Sequence, residues 1–178
     1  MDTITSFSQI TIPAKCLVVL DIDETVIRYE NISSDWWTNK LNENLLIYND
    51  HKTADFYALD EWITHINYNL PTHTDSDGLN DMFEKIKQYD GQVIYLTARR
   101  KYLEDITKYH LNYLNIKNEK IYFTGGENKG EILKSIVQDE YDHHDNIIFI
   151  DDRDENLHNV IKAMKHTEKL TKCYKFVM

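Results

Sequence analysis

Residues 17–25 have the sequence Leu-Val-Val-Leu-Asp-Ile-Asp-Glu-Thr. The first four residues form a continuous apolar run with two β-branched valines, which is typical of a strand covered on both faces in a parallel sheet. Two aspartates, Asp21 and Asp23, follow this strand at once. Because open parallel sheets bind ligands at the carboxyl ends of their strands, the sequence predicts a functional site here.

Three further apolar runs have the length of buried strands, at residues 93–96, 121–123 and 147–150. Residues 173–177 add a candidate for a final edge strand. Between the runs, apolar residues recur at helical spacing; they are Leu79, Met82, Phe83 and Ile86, then Leu103, Ile106, Tyr109, His110 and Tyr113, then Ile132, Leu133, Ile136 and Val137, and then Leu157, Val160, Ile161 and Met164. This alternation predicts an α/β fold with an open, three-layer, Rossmann-like parallel sheet.

Residues 29–77 interrupt the alternation. They contain neither a clear strand nor a Gly/Pro linker, and they are too long and too rich in aromatic residues for a structureless loop. We therefore predict a small helical cap inserted after the first strand. The expected organisation is a core domain of residues 1–28 and 78–178, with a cap subdomain at 29–77.

Polar residues follow each predicted strand. Asp21 and Asp23 follow the first, Thr97 ends the second, Lys129 opens a helix after the third, and Asp151-Asp152 follow the fourth. A single aspartate pair at a strand end is as readily a helix cap as a site, but two pairs on one sheet edge crowd four carboxylates together. A divalent cation resolves that conflict, and hard oxygen ligands favour Mg²⁺.

These motifs resemble those of the haloacid dehalogenase (HAD) superfamily, in order and at plausible spacing, over residues 12–28 and 79–178. The resemblance implies that Asp21 is a nucleophile that forms an aspartyl-phosphate. It implies that Asp23 is the general acid and base. Thr97 would donate to the phosphoryl oxygens, and Lys129 would offset charge in the transition state.

The same resemblance implies a Mg²⁺ site. Asp21 would provide a carboxylate oxygen and Asp23 its backbone carbonyl. Of the pair Asp151 and Asp152, the second is expected to bind the metal directly, with Asp151 and Asn156 orienting the waters around it. The segments 96–99, 123–130 and 150–152 are most similar to a poorly characterised subfamily of bacteria and large DNA viruses, and the first motif is also like that of bacterial acid phosphatases.

Composition narrows the class of protein. The 178 residues carry a formal net charge of −10, which disfavours a nucleic-acid binder. No secretory signal opens the sequence and no run approaches the roughly 20 apolar residues of a membrane span. The expectation is a cytoplasmic protein with no nucleic-acid or membrane partner. Its oligomeric state is not predicted.

Three functions follow, in order of preference. The first is a phosphatase for a small phosphorylated substrate such as a nucleotide or sugar phosphate. The second is a phosphatase for a macromolecule, either a nucleic-acid 3′-phosphate or a phosphoprotein. The third is a binding protein with the HAD fold and no turnover, which the complete set of catalytic residues disfavours.

Several side chains have two interpretations. Glu24 either orients the cap or is a solvated carboxylate at a helix start. Arg99 and Arg100 either contact a substrate anion or pair on a helix surface. Trp36 and Trp37 are placed in the core of the cap by preference, and over a substrate ring as the alternative. The neighbours His143 and His144 are predicted to be surface residues. The turn at Gly125-Gly126 has two interpretations: it either cradles phosphate or places Lys129.

Overall fold

The computed structural model describes residues 1–30, 32, 35–116 and 119–178. Within these ranges, six parallel strands form the main sheet; they are β1 (Asp2–Ile4), β2 (Cys16–Leu20), β5 (Gln92–Thr97), β6 (Lys120–Phe123), β7 (Asn146–Asp151) and β8 (Leu170–Phe176). Their order across the sheet is β1-β8-β7-β2-β5-β6. The strand β2 therefore lies in the interior, between β7 and β5, and its carboxyl end is covered by neighbours on both sides.

The predicted three-layer α/β fold is confirmed. On one face of the sheet, a core cluster combines Val18 and Leu20 of β2 with α3 (Ser76–Gln88) and α4 (Glu104–Tyr113). On the other face, Leu17 and Val19 belong to a second cluster with α5 (Lys129–Glu140) and α6 (Asp154–Met164). Alternate residues of β2 thus point to opposite faces, and every residue of the strand is buried.

The final strand differs from its prediction. β8 is present but is not an edge strand, because β1 pairs with it in parallel from Asp2 opposite Tyr174 to Ile4 opposite Phe176. The edge is therefore β1, which sequence reasoning missed. It has only three residues, of which Ile4 alone is buried, so it carries no apolar run to detect.

The segment after β2 contains a short antiparallel pair, β3 (Ile27–Arg28) with β4 (Thr72–His73), and two helices between them, α1 (Trp36–Tyr48) and α2 (His51–Tyr68). The helices pack on each other, with Tyr48 stacked on Tyr57 at 4.5 Å between ring centroids. Residues 31, 33 and 34 of the predicted cap lie outside the described residues. The division into a core domain and a cap subdomain at 29–77 stays a prediction.

Candidate active site

Asp21 and Asp151 lie side by side at the carboxyl edge of the sheet. β2 and β7 run in parallel with Leu20 opposite Ile150, and the backbone N–H of Asp21 continues the ladder by donating to the carbonyl of Ile150 at 2.9 Å. The two aspartates follow these paired residues, so the register itself brings both carboxylates to one place. Both residues are buried.

Lys129 lies between the two carboxylates. Its Nζ is 2.6 Å from Oδ1 of Asp21 and 2.7 Å from Oδ2 of Asp151, and its side chain is 2% exposed. Burial acts to lower the pKa of Lys129, but the charges and hydrogen bonds of Asp151 and Asp21 together raise it. The ammonium is therefore charged. It directly links the aspartate that follows β2 with the aspartate at the end of β7.

The start of α5 places Lys129. Asn128 caps the helix, with its side-chain oxygen accepting from the backbone N–H groups of Gly130 and Glu131. The preceding Gly125 and Gly126 have φ of +63° and +89°, a backbone region that favours glycine. This tight turn places Lys129, and both glycines also line the cavity described below.

Asp152 completes a candidate metal site. One carboxylate oxygen from each of Asp21, Asp151 and Asp152 lies within 4.8 Å of the others. Burial raises the pKa of Asp21 well above its usual range, with Asp151 and Asp152 raising it and Lys129 lowering it. Burial and Asp151 raise the pKa of Asp152 to about 7. Three converging carboxylates face one ammonium, so these residues fit a divalent cation with hard oxygen ligands.

Asp23 lies on a tight loop that follows β2. The N–H groups of Val26 and Ile27 both donate to the carbonyl of Ile22, at 2.9 and 3.0 Å, and Glu24 has a φ of +59°. Glu24 is not at a helix start, as one interpretation had it, but is buried beside the cavity. Burial, Asp152 and Asp23 raise its pKa to about 7.

Arg99 binds Asp23 with two parallel hydrogen bonds, from Nε to Oδ2 at 2.9 Å and from NH2 to Oδ1 at 2.7 Å. The prediction of pairing on a helix surface is wrong for this residue, since its side chain is 0% exposed and it follows β5 in a bend. Arg100, the next residue, is exposed and lines the cavity.

Thr97 is buried at the end of β5, where its side-chain oxygen accepts from the backbone N–H of Arg99 at 3.2 Å. Its carbonyl accepts from the N–H of Thr124 at 2.9 Å. The hydroxyl group therefore stabilises the turn that leads to Arg99. Because this bond uses the oxygen as an acceptor, the hydroxyl hydrogen can still be donated.

A cavity of about 330 Å³ opens above these groups. Asp21, Lys129 and Asp152 lie in its wall, and α1 and α2 contribute Trp36, Trp37 and Trp62. Trp36 and Trp37 are half-buried, so they line the cavity rather than forming a closed core of the cap. The remaining lining residues are Asp23, Glu24, Tyr29, Ile32, Asp55, Leu59, Ala98, Arg99, Arg100, Gly125, Gly126, Arg153 and Asn156.

Sequence reasoning missed a buried polar group in α4. His110 was assigned to an apolar stripe with Tyr109 and Tyr113, but those tyrosines are 54% and 51% exposed, whereas His110 and Thr107 are buried. The Nδ1 atom of His110 is 2.8 Å from the hydroxyl of Tyr29. The available signal was His110 itself, a polar residue within an otherwise apolar helical pattern.

His144 was also misassigned. It is buried rather than at the surface, with Nδ1 2.8 Å from the carbonyl of Lys15 and Nε2 3.0 Å from Oε1 of Gln92. These partners lie at the amino-terminal ends of β2 and β5, away from the site. His143 is exposed, as predicted.

A family model described as "Protein of unknown function (DUF2608)" matches residues 3–121 and 118–171. The chain belongs to this family. The HAD domain of the effector protein Lem4 from Legionella pneumophila has a similar structure, with a TM-score of 0.53 and 19% identity over 92% of this chain and 87% of that one. An inactive mutant of the same domain has a TM-score of 0.53 and 18% identity over 91% of this chain and 85% of that one. This DUF2608 protein therefore has the HAD fold, as its motifs predicted.

A curated protein of Halalkalibacterium halodurans, named "Putative nucleotidase BH1399", is 34% identical over 77 residues. The match covers 42% of the DUF2608 chain and 39% of the relative, so the chain spans about two fifths of that relative's length. Among the described residues, no helix is long and apolar enough to cross a membrane.

Proposed function

We propose that this DUF2608 protein is a Mg²⁺-dependent phosphohydrolase that cleaves a phosphomonoester through an aspartyl-phosphate on Asp21. The observation that carries the proposal is the buried ammonium of Lys129, bound to Asp21 and Asp151 in the wall of the cavity. A carboxylate that is fixed beside a permanent positive charge is oriented as a nucleophile, while that charge offsets the negative charge of an incoming phosphoryl group.

The reaction has two displacements. In the first, an Asp21 oxygen forms a bond to phosphorus, the bond to the ester oxygen breaks, and Asp23 gives that oxygen a proton. In the second, water attacks phosphorus, Asp23 accepts a proton from the water, and the bond to Asp21 breaks to release phosphate. Lys129 stays bound to the nucleophile, and Thr97 donates its hydroxyl hydrogen to a phosphoryl oxygen.

The residues that would hold Mg²⁺ are Asp21, Asp152 and the backbone carbonyl of Asp23, with Asp151 and Asn156 behind them. When bound, the cation would neutralise charge on the phosphoryl oxygens. The convergence of one carboxylate oxygen from each of Asp21, Asp151 and Asp152 within 4.8 Å supports a cation at this place.

The proposed substrate is a small phosphomonoester such as a nucleotide or sugar phosphate. A cavity of about 330 Å³ is at the small end of the range for ligand sites. Its tryptophans supply flat apolar surfaces on which a planar ring can stack. The curated relative is named as a nucleotidase, which is consistent with a phosphorylated nucleoside.

The charges of the cavity favour a small substrate over a nucleic-acid end. Its acidic lining residues, Asp21, Asp23, Glu24, Asp55 and Asp152, outnumber its basic ones, Arg99, Arg100, Lys129 and Arg153. Two of those cations, Arg99 and Lys129, are already paired with carboxylates. Of the basic lining residues, Arg100 and Arg153 are then left to meet a polyanion, which disfavours a nucleic-acid end.

The test is the release of phosphate from para-nitrophenyl phosphate and from a nucleotide and sugar-phosphate panel, with Mg²⁺ or with EDTA. Wild type should turn over only with Mg²⁺, and Asp21→Asn, which keeps the shape of the side chain, should lose turnover. Asp105→Asn removes an exposed carboxylate outside the cavity and is the matched control; it should retain full activity.

Acid-quenched enzyme should carry one phosphoryl group on the peptide that contains Asp21, as measured by mass spectrometry. Wild type that releases no phosphate from any member of the panel would contradict the proposal. Turnover that survives Asp21→Asn would assign the nucleophile to another residue.

A further inference from the structure

Arg99 is the most completely bound cation of the cavity wall. Two of its nitrogens donate to the two oxygens of Asp23, and NH1 donates to Oγ1 of Thr107 at 2.9 Å. NH2 also donates to the hydroxyl of Tyr29 at 2.9 Å. Four of the five N–H groups of the guanidinium thus donate to protein partners, and the side chain is 0% exposed, so it is not open to a substrate anion. Its function must therefore act through one of its partners.

The partners hold the guanidinium from several sides. Tyr29 follows β3, Thr107 belongs to α4, and Trp62 of α2 lies against the guanidinium with its ring centroid 5.3 Å from the central carbon. Thr107 in turn donates to the carbonyl of Leu103 at 2.7 Å. Because each contact comes from a different element, Arg99 is fixed in both position and plane.

Asp23 is the partner that this arrangement controls. Its side chain is 27% exposed and lines the cavity, whereas the side chain of Arg99 is 0% exposed. A bidentate pair fixes the plane of a carboxylate as well as its distance. Each Asp23 oxygen retains capacity for a further hydrogen bond, so the carboxylate can still contact a substrate or a water.

We propose that Arg99 is a positioning residue that fixes the orientation of the Asp23 carboxylate for proton transfer to and from the reacting oxygens. The inference rests on the proposed function, because it requires Asp23 to act in the two displacements on Asp21. It assigns Arg99 no contact with substrate. Substitution of Arg99 should therefore resemble a partial loss of Asp23, and it should do so only where Asp23 is needed.

The test compares substrates that differ in their need for an acid. An alkyl phosphate has a poor leaving oxygen that must be protonated, whereas 2,4-dinitrophenolate leaves without help. The value of kcat/KM covers the steps up to departure of the leaving group and excludes hydrolysis of the aspartyl-phosphate. Arg99→Met should lower kcat/KM by about 10²-fold for an alkyl phosphate and by less than about 10-fold for 2,4-dinitrophenyl phosphate.

Further variants guard against a folding defect. Arg99→Lys keeps the charge but cannot make two parallel hydrogen bonds, so it should shift the same ratio by a smaller factor. His144→Ala removes buried hydrogen bonds at the amino-terminal ends of β2 and β5, away from Arg99; it should lower Tm without changing the ratio between the two substrates. In an Asp23→Asn background, Arg99→Met should cause no further change in the ratio.

The outcomes separate the two proposals. If wild type is active and Arg99→Met and Arg99→Lys each lose the same factor of kcat/KM on both substrates, Arg99 is merely structural and the positioning role is overturned. If wild type cleaves neither substrate nor any member of the phosphomonoester panel, the proposed function fails and the positioning role fails with it. A loss confined to the alkyl phosphate, abolished by Asp23→Asn, supports the assignment.

Discussion

The side-chain nitrogen of Asn156 donates to both carboxylate oxygens of Asp151, at 2.9 and 3.0 Å. Oδ1 also accepts from the backbone N–H of Arg153 at 2.9 Å, and Oδ2 accepts from Lys129. Four hydrogen bonds thus occupy the oxygens of Asp151, which is 0% exposed. Asp152 is half-buried and lines the cavity, and burial together with the charge of Asp151 raises its pKa to about 7. The structure therefore distinguishes the two neighbours.

We predict that Asp152→Asn lowers affinity for Mg²⁺, whereas Asp151→Asn lowers stability. Removing the charge of Asp152 relieves repulsion within the cluster, so the free energy of unfolding without metal should stay the same or rise. Asp151→Asn removes one of the two carboxylates that pair with the buried Lys129 ammonium. It should lower the free energy of unfolding by about 3 kcal/mol or more. Chemical denaturation, with and without Mg²⁺, measures both effects.

Wild type should gain several degrees in Tm when Mg²⁺ is added, because a ligand that binds only the folded state stabilises it. Asp152→Asn should lose most of that gain. The assignment would be reversed if Asp152→Asn kept the full gain and Asp151→Asn, still folded, lost it.

The contact between His110 and Tyr29 predicts a pH dependence of stability. Arg99 donates to the Tyr29 oxygen, so the Tyr29 hydroxyl can donate its own hydrogen to Nδ1 of a neutral His110. Burial and the nearby Arg99 charge lower the pKa of His110 to about 4. The unfolded chain therefore binds a proton more readily between pH 4 and about 6.5, and the stability is lost as the pH falls through that range.

We expect wild type to lose about 2 kcal/mol more unfolding free energy between pH 7 and pH 5 than His110→Gln loses. Glutamine does not titrate there, and its amide oxygen can accept from Tyr29. The carboxylates titrate in both proteins alike, so their contributions to the change in unfolding free energy cancel in the comparison. Parallel profiles of unfolding free energy against pH for the two proteins would show that His110 does not contribute to this pH dependence.

Trp36 and Trp37 should affect substrate choice more than chemistry. Both line the cavity from α1, and neither contacts the Lys129 cluster in the hydrogen bonds described above. Alanine at both positions should reduce kcat/KM for a nucleotide by about 10-fold or more relative to para-nitrophenyl phosphate, because stacking on a ring contributes about 1 kcal/mol or more. Leu46→Ala, on the exposed side of the same helix, is the control. Unchanged relative values of kcat/KM across the nucleotide and sugar-phosphate panel would contradict this prediction.

Gly130, the residue after Lys129 in α5, packs against α6. A Cβ atom at this position would lie 2.2 Å from the carbonyl oxygen of Asn159, which is backbone and cannot move aside alone. Gly130→Ala should therefore push α5 from α6, lower the unfolding free energy by about 2 kcal/mol, and displace Lys129. Glu131→Ala, an exposed neighbour, should change neither stability nor activity by much. Denaturation and kcat together measure the effect; a Gly130→Ala variant with both intact would disprove the close packing.

The carboxyl edge of the sheet was predictable because its signals are local. A buried strand followed by a polar residue occurs in the sequence at β2, β5 and β7, and parallel pairing then brings Asp21 and Asp151 together without further information. The charge conflict between such carboxylates likewise requires only their proximity. These parts of the site depend on register, which the apolar runs define.

The remaining contacts depend on packing between distant elements. Arg99 binds Asp23, and Tyr29 binds His110, across separations of 76 and 81 residues. No local pattern distinguishes such pairs from exposed polar residues. The helices α1 and α2 were only loosely predicted because few of their apolar residues are buried, and side chains such as Leu46 and Phe56 are 89% and 61% exposed. A helix without a buried stripe lacks the periodicity on which sequence interpretation relies.

The order of strands has a consequence for self-association. The strands at the two ends of the described sheet, β1 and β6, have three and four residues, and each begins with a charged residue, Asp2 or Lys120. The long strands β7 and β8 are enclosed on both sides. Short, charged margins offer few free backbone groups to a neighbouring molecule, so the sheet is protected from growing into an intermolecular aggregate.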